Sequence, residues 1–257
     1  MSAGLELLRE VRHDPARGAS NGTVRVLGLL VLCSCSHFDG QDPAPAKPSR
    51  VRHAAIGTGV LAVPDETIEL RATVRGIVFA TVQTAIGEPG WVGGRRAIVV
   101  RSRGRADGFA SLFGDFTWEL SSTIDLDSGL PIEDHEEAVA TMAGQHEHHS
   151  DRRTWEAGDL HHDIHSAIGA VRAWRSEPGL ATELAIEIGG GHFTADLTDV
   201  AREPHGGKPA VRYEGRGGGQ PFVAWVSDDE ARVPLGFHCD TELGAVALEL
   251  VAYDVRD

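Results

Sequence analysis

The feature that most constrains this chain is an alternation of apolar and polar residues with period two, running with few breaks from Glu66 to Val255. In Thr67–Arg75, Ile68, Leu70, Ala72 and Val74 alternate with Thr67, Glu69, Arg71, Thr73 and Arg75. Successive strand side chains point to opposite faces, so this pattern predicts a strand with one dry and one wet face. Gly76 interrupts it and Ile77–Ile86 resumes it, which places a hairpin turn at Arg75-Gly76.

The same reading predicts strands over Arg96–Arg103, Phe116–Ile124, Leu130–Ala140, Gln145–Trp155, Leu180–Ile188, Phe193–Val200, Ala210–Tyr213, Phe222–Val226, Val233–Cys239 and Ala245–Val255. Phe109–Phe113 reads as a short helix or aromatic turn, and Asp127-Ser-Gly129 as a turn. One helix stands out, Asp163–Arg175. There Ile164, Ala167, Ile168, Val171 and Trp174 recur at spacings of three and four, Asp163 is the expected N-cap, and Glu177-Pro-Gly179 is the stop. About ten strands with short connections and a single amphipathic helix specify a mainly β fold, a large curved antiparallel sheet or barrel.

Ahead of this domain the sequence changes character. Val26-Leu-Gly-Leu-Leu-Val-Leu32 is apolar, follows Arg25, and is too short for a membrane-spanning helix. It fits the apolar region of a signal peptide, and Leu32-Cys33-Ser34-Cys35 resembles the lipobox of bacterial lipoproteins. Cys35 is the expected lipidation site, since Ser34 is small at the cleavage position and Leu32 would be bulky there. Glu6, Glu10 and Asp14 are unusual for a signal n-region, and a start at Val11 or Val24 gives a more basic one. Pro43, Pro45 and Pro48 then favour an extended tether. The expected organisation is a signal segment over 1–34, lipidated Cys35 and tether over 35–60, and one β-rich domain over 61–257. Ser36, by resemblance to Gram-negative sorting, implies the outer membrane, with the domain facing the periplasm.

The formal net charge of −14 disfavours nucleic-acid partners, whose phosphates attract Lys and Arg. The only Cys after Cys35 is Cys239, so an internal disulfide is excluded once Cys35 is lipidated.

Residue types that carry chemistry cluster in a few places. His135, His146, His148, His149, His161, His162 and His165 crowd one third of the chain, with Glu147 and Asp159 among them. Imidazole is a common metal ligand, and His146 and His148 would share a strand face. His162 and His165 would share a helix face if the helix began early. Ser150 stands where a zinc-protease helix needs its second His, so that motif fails. Asp125-Leu-Asp127-Ser-Gly129 fails as a calcium loop, because its Gly is one place early and Pro131 falls inside. Gly215-Arg-Gly-Gly-Gly219 precedes a strand rather than a helix, so it reads as a turn and not a phosphate loop. His238 and Cys239 are strand neighbours and face apart, with Cys239 on the core side. Glu133, Asp134, Glu136 and Glu137 alternate along one strand and read as a solvated acidic strand. No catalytic, cofactor-binding or metal-binding residues are assigned, and the chain is expected not to be an enzyme.

Several segments together resemble the bacterial exported proteins grouped as domain of unknown function 3108. They are Gly94–Arg103, Ser122–Pro131, Asp163–Arg172, Val233-Pro-Leu235 and Gly244–Leu250. The resemblance implies an open or half β-barrel like that of lipoprotein carriers, in which a curved sheet wraps one or two helices and its apolar concave face receives acyl chains. The leading expectation is therefore a non-catalytic envelope lipoprotein, anchored in the membrane, that binds an apolar or amphiphilic ligand in a cavity of about 300 Å³ or more. The alternatives are a packed structural or protein-interaction module, and a metal-binding protein or metal-dependent hydrolase using the His-rich segment 135–165.

Overall fold

The computed structural model describes residues 52–53, 59–108, 110–112, 114–142, 145–156, 158–188, 191–241 and 244–256. The signal segment, Cys35 and the Pro-rich stretch lie outside the described residues.

Each long alternating segment forms a strand. In chain order these are β1 (Arg52–His53), β2 (Glu66–Val74), β3 (Ile77–Ile86), β4 (Gly90–Val92), β5 (Arg95–Ala106), β6 (Gly114–Asp125), β7 (Pro131–Met142) and β8 (Gln145–Thr154). The helix α1 (Ile164–Ala173) follows, then β9 (Leu180–Ile188), β10 (Gly191–His205), β11 (Lys208–Gly217), β12 (Gln220–Ser227), β13 (Pro234–Thr241) and β14 (Gly244–Val255). A 3-10 turn covers Ala110–Leu112. Two short strands, β1 and β4, escaped the sequence reading, since two or three residues carry no period.

All strands belong to one sheet, ordered β1-β9-β10-β11-β12-β13-β14-β2-β3-β5-β6-β7-β8, with β4 beside β5. Two antiparallel meanders, β2 to β8 and β9 to β14, are joined where β14 pairs with β2 from Val246↔Val74 to Val255↔Glu66. The hairpin turns follow the glycines. Arg75 and Gly76 at φ 50° and 76° make the tight turn between β2 and β3, a conformation that suits the right-handed twist of the flanking strands. Register shifts at Ala72/Thr73, Thr123/Ile124, Asp199/Ala201, Trp225/Val226 and Leu250/Ala252 bend the strands and increase their twist. The sheet curls strongly, yet β8 and β9 do not pair as strands, so it remains an open barrel-like sheet.

The helix fills the interior. Asp163 caps it, its Oδ1 accepting from the Ser166 N–H at 2.7 Å, and Trp174 ends it. Ala167, Ala170 and Trp174 pack against Leu184, Ile186, Leu197, Val211 and Tyr213 of the sheet. The expected five-residue apolar face needs correction. Ile168 is 41 % exposed, whereas His165, Ser166 and Arg172 are buried. A helix on a flat sheet has one dry stripe. A helix wrapped by a concave sheet is enclosed on most sides, and polar residues on it must find partners inside.

The segment Gly59–Val63 crosses the helix as a strap. The Leu61 N–H donates to the Gly169 carbonyl at 3.1 Å, and Val60 and Ala62 pack on the Ile86, Ile98, Val100 and Ile124 cluster. β1 pairs in parallel with β9 at Leu180 and Ala181. Residues 52–53 and 59–60, placed in the tether by sequence, therefore dock on the domain.

Candidate functional site

Strap, helix and sheet leave a cavity of about 60 Å³ between them. Its walls are mostly apolar, with Val60, Leu61 and Ala62 from the strap, Ile68 and Leu70 from β2, Ile86, Val100 and Ile124 from β3, β5 and β6, and Ile168 and Gly169 from α1. Thr84, His165 and Arg172 add polar atoms. A volume of this size holds a few waters and falls well short of the roughly 300 Å³ expected of a preformed ligand site. Gly169 is what allows the close crossing. A Cβ there would lie 1.8 Å from Val60 Cγ2 and 3.3 Å from Val60 Cβ.

His165 is fully enclosed. Ser122 Oγ lies 2.6 Å from its Nδ1 and Ser102 Oγ 2.8 Å from its Nε2, with Thr84 Oγ1 2.7 Å from Ser102 Oγ. Burial pushes the imidazole down to about 4, so the ring is neutral and one hydroxyl donates to it while the other accepts. A nucleophile–base pair needs a third group orienting the base. Here both nitrogens meet hydroxyls, and Asp163 spends Oδ1 on the helix cap. The arrangement bolts the helix N-terminus to β5 and β6. Asp163 Oδ2 is buried without a hydrogen-bond partner.

The C-terminal end of α1 is held by charge. Arg172 Nη1 and Nη2 donate to Glu66 Oε2 and Oε1 at 2.6 and 2.7 Å, both side chains being almost inaccessible. The same guanidinium donates to the Arg232 and Ala231 carbonyls. Tyr253, beside this carboxylate, is pushed up to about 12, first by burial and then by the Glu66 charge.

The His-rich segment is dispersed. His146 and His148 do share a face, but on the exposed strand β8. His146 Nδ1 lies 3.1 Å from Thr141 Oγ1, and His148 Nε2 lies 3.1 Å from Glu137 Oε1. His135 meets the Asp151 carbonyl. His162 and His165 are not brought together, because His162 precedes the helix and joins β9 through backbone bonds to Ala185 and Glu187. Glu133, Asp134, Glu136 and Glu137 lie on β7, and Asp134 departs from the expected solvated pattern. It is buried, accepts from Trp155 Nε1 at 2.7 Å, and pairs with Arg153. Burial raises its carboxyl above the usual range despite that partner.

Asp134 and Arg153 open a polar seam between the two ends of the sheet. Arg153, on β8, also pairs with Glu187 of β9. Beyond Glu187 the seam gathers His192 of β10 and His161 from the post-β8 segment. His161, Glu187 and His192 each present a ligand-type atom within 4.8 Å of the others. Sequence reasoning missed Glu187 and His192. The signal was available in the glycine run that separates the two alternating segments, which predicts a hairpin, and the strand register sets Glu187 opposite His192.

The remaining motifs have structural roles. Asp125 Oδ1 accepts from the Asp127 and Ser128 N–H groups in the β6–β7 turn. Gly218 and Gly219 turn β11 into β12 with positive φ. Cys239 is buried, and His238, facing the other side, meets Glu249.

No family model matches the sequence, and no curated protein matches it. Among solved structures, the chain is similar to a β-barrel-like protein of domain of unknown function 1849 from Brucella abortus. The identity is 9 %, covering 76 % of this chain and 100 % of that one, with a TM-score of 0.43. It is also similar to the lipoprotein LppX of Mycobacterium tuberculosis, at 10 % identity, covering 76 % and 88 %, with a TM-score of 0.30. A Bacteroides fragilis protein with a YmcC-like fold matches at 8 % identity over 77 % and 99 %, with a TM-score of 0.31.

Proposed function

We propose that this chain is a non-catalytic envelope lipoprotein, held through lipidated Cys35 at the outer membrane. It takes one slender apolar chain of an amphiphilic molecule into the concave face beneath the strap. The observation that carries this reading is the apolar cavity between the Gly59–Val63 strap and α1, with Ile168 at its margin. At about 60 Å³ the cavity is too small for an acyl chain as it stands, so binding requires the strap to lift. Val60, Leu61 and Ala62 then vacate an apolar groove, and the ligand replaces the contacts they made. Thr84, His165 and Arg172 supply the few polar atoms such grooves use for orientation.

A second reading has its own support. The nearly full concave face suits a packed module whose partners dock outside.

Native mass spectrometry of the full chain, isolated from an envelope fraction and then titrated with palmitate, separates the two. The groove reading expects one lipid-sized mass on the protein as isolated and a single palmitate on titration. Gly169→Ala pushes Val60 and the strap outward at about 1–3 kcal/mol, and should increase palmitate uptake. Adding Val60→Ala should reverse that increase. A bare polypeptide mass with no uptake by the wild type or by Gly169→Ala would leave the packed module.

A further inference from the structure

We propose that His161, Glu187 and His192 form a site for one divalent transition-metal ion of the zinc class, clasping the post-β8 segment to the β9–β10 hairpin.

The donor set is the first argument. Two imidazoles and one carboxylate are ligands that zinc takes in four-coordinate sites, with a water or a further donor in the fourth position. Glu187 and His192 face each other across the β9–β10 hairpin and His161 comes from the segment after β8, and the three ligand-type atoms lie within 4.8 Å of one another. Two atoms bound to one tetrahedral ion at about 2.0–2.1 Å stand about 3.3–3.4 Å apart. His192 Nδ1 and Glu187 Oε2 are 3.3 Å apart. The His161 and His192 rings meet edge to face with centroids 4.9 Å apart.

The second argument is the supporting shell. Asp159 Oδ1 lies 2.6 Å from His161 Nδ1 and also accepts the His161 backbone N–H at 3.0 Å. A metal-bound histidine commonly gives its other ring nitrogen to a carboxylate, which fixes the ring and its tautomer. With Nδ1 held by Asp159, Nε2 is the nitrogen left for the ion. Arg153 holds Glu187 Oε1, which leaves Oε2 on the His192 side. The backbone around His161 is itself fixed, because His162 is bonded to Ala185 and Glu187 of β9.

Location gives the ion a consequence. β8 ends the strand order on one side and β9, flanked by the two-residue β1, lies at the other, and His161 lies on the chain leaving β8. An ion bridging His161 to Glu187 and His192 fastens that chain across the open side. His192 is exposed and His161 partly so, which gives an ion access from solvent.

The test uses the full chain, purified without a polyhistidine tag and stripped with chelator. Zinc is titrated against a chromophoric chelator, and cobalt is used as a spectroscopic probe. One equivalent of zinc should bind, and cobalt should show the intense visible bands of four-coordinate ligation. His161→Ala and His192→Ala should each weaken binding more than about 100-fold, and Asp159→Asn about 10- to 100-fold. The double variant His146→Ala/His148→Ala should leave affinity unchanged, and circular dichroism checks that every variant is folded. Absence of stoichiometric binding would overturn the proposal. So would binding that survives His192→Ala but is lost in the His146/His148 variant, because the exposed β8 imidazoles would then be the ligands.

Discussion

His165 shows how far one residue's chemistry depends on its surroundings. Its ring is the same group as that of His146, yet one lies against two serine hydroxyls in the core and the other on an exposed strand. Burial disfavours the imidazolium, so the folded chain holds this ring neutral down to about pH 4. The unfolded chain protonates it near pH 6.5. Between these values the unfolded state binds more protons, so stability is full above pH 6.5 and declines as pH falls toward 4. The contribution is of the order of a few kcal/mol. Urea midpoints measured at pH 7.5 and pH 4.5 should differ less in His165→Gln than in the wild type. An equal fall in both would show that other groups dominate acid unfolding. Nothing in the order of residues marks His165 as the interior one. Its depth is set by how the sheet closes over α1.

At the scale of the element, α1 was legible and its environment was not. Asp163 and the stop before Pro178 bound the helix because capping and termination are local. The apolar spacing named Ala167 and Trp174 correctly as core, but assigned Ile168 to the dry side, where it is 41 % exposed. Arg172 carries no local sign of burial, since a lone Arg near a helix C-terminus is ordinarily solvated. Its partner Glu66 lies at the start of β2, far off in sequence, and only the wrapping of the sheet brings them together. Removing one member strands the other charge in the core. Arg172→Met should cost about 3–5 kcal/mol by urea denaturation, and the double change Glu66→Gln/Arg172→Met distinctly less. If the double variant is no better than the single, the guanidinium's bonds to the Arg232 and Ala231 carbonyls carry the effect instead.

At the scale of the whole molecule, the deciding feature is a sheet that curls until β8 approaches β9 and stays open there, bridged by side-chain charge rather than by strand pairing. Arg153 bridges Asp134 on β7 and Glu187 on β9, with its guanidinium 4.0 Å above the Trp155 ring. Arg153→Met should leave Asp134 with Trp155 Nε1 and drive its carboxyl higher still. Arg153 is partly exposed, so solvent screening limits the loss to about 1 kcal/mol. Hydrogen exchange should quicken along β8 and at the His162 amide while β2 and β14 stay protected. Uniform exchange across the sheet would show that the seam is not a local closure.

By itself the sequence determined the strand content, most strand bounds, the glycine turns, the helix and the curved antiparallel class. All of these follow from period, turn chemistry and capping, which act between residues close in the chain. Tertiary structure alone decided that β14 joins β2, that the strap crosses Gly169 and fills most of the expected ligand groove, and which histidines meet carboxylates. Those outcomes depend on curvature summed over many strands and on packing between distant segments, and no local pattern of residues encodes either.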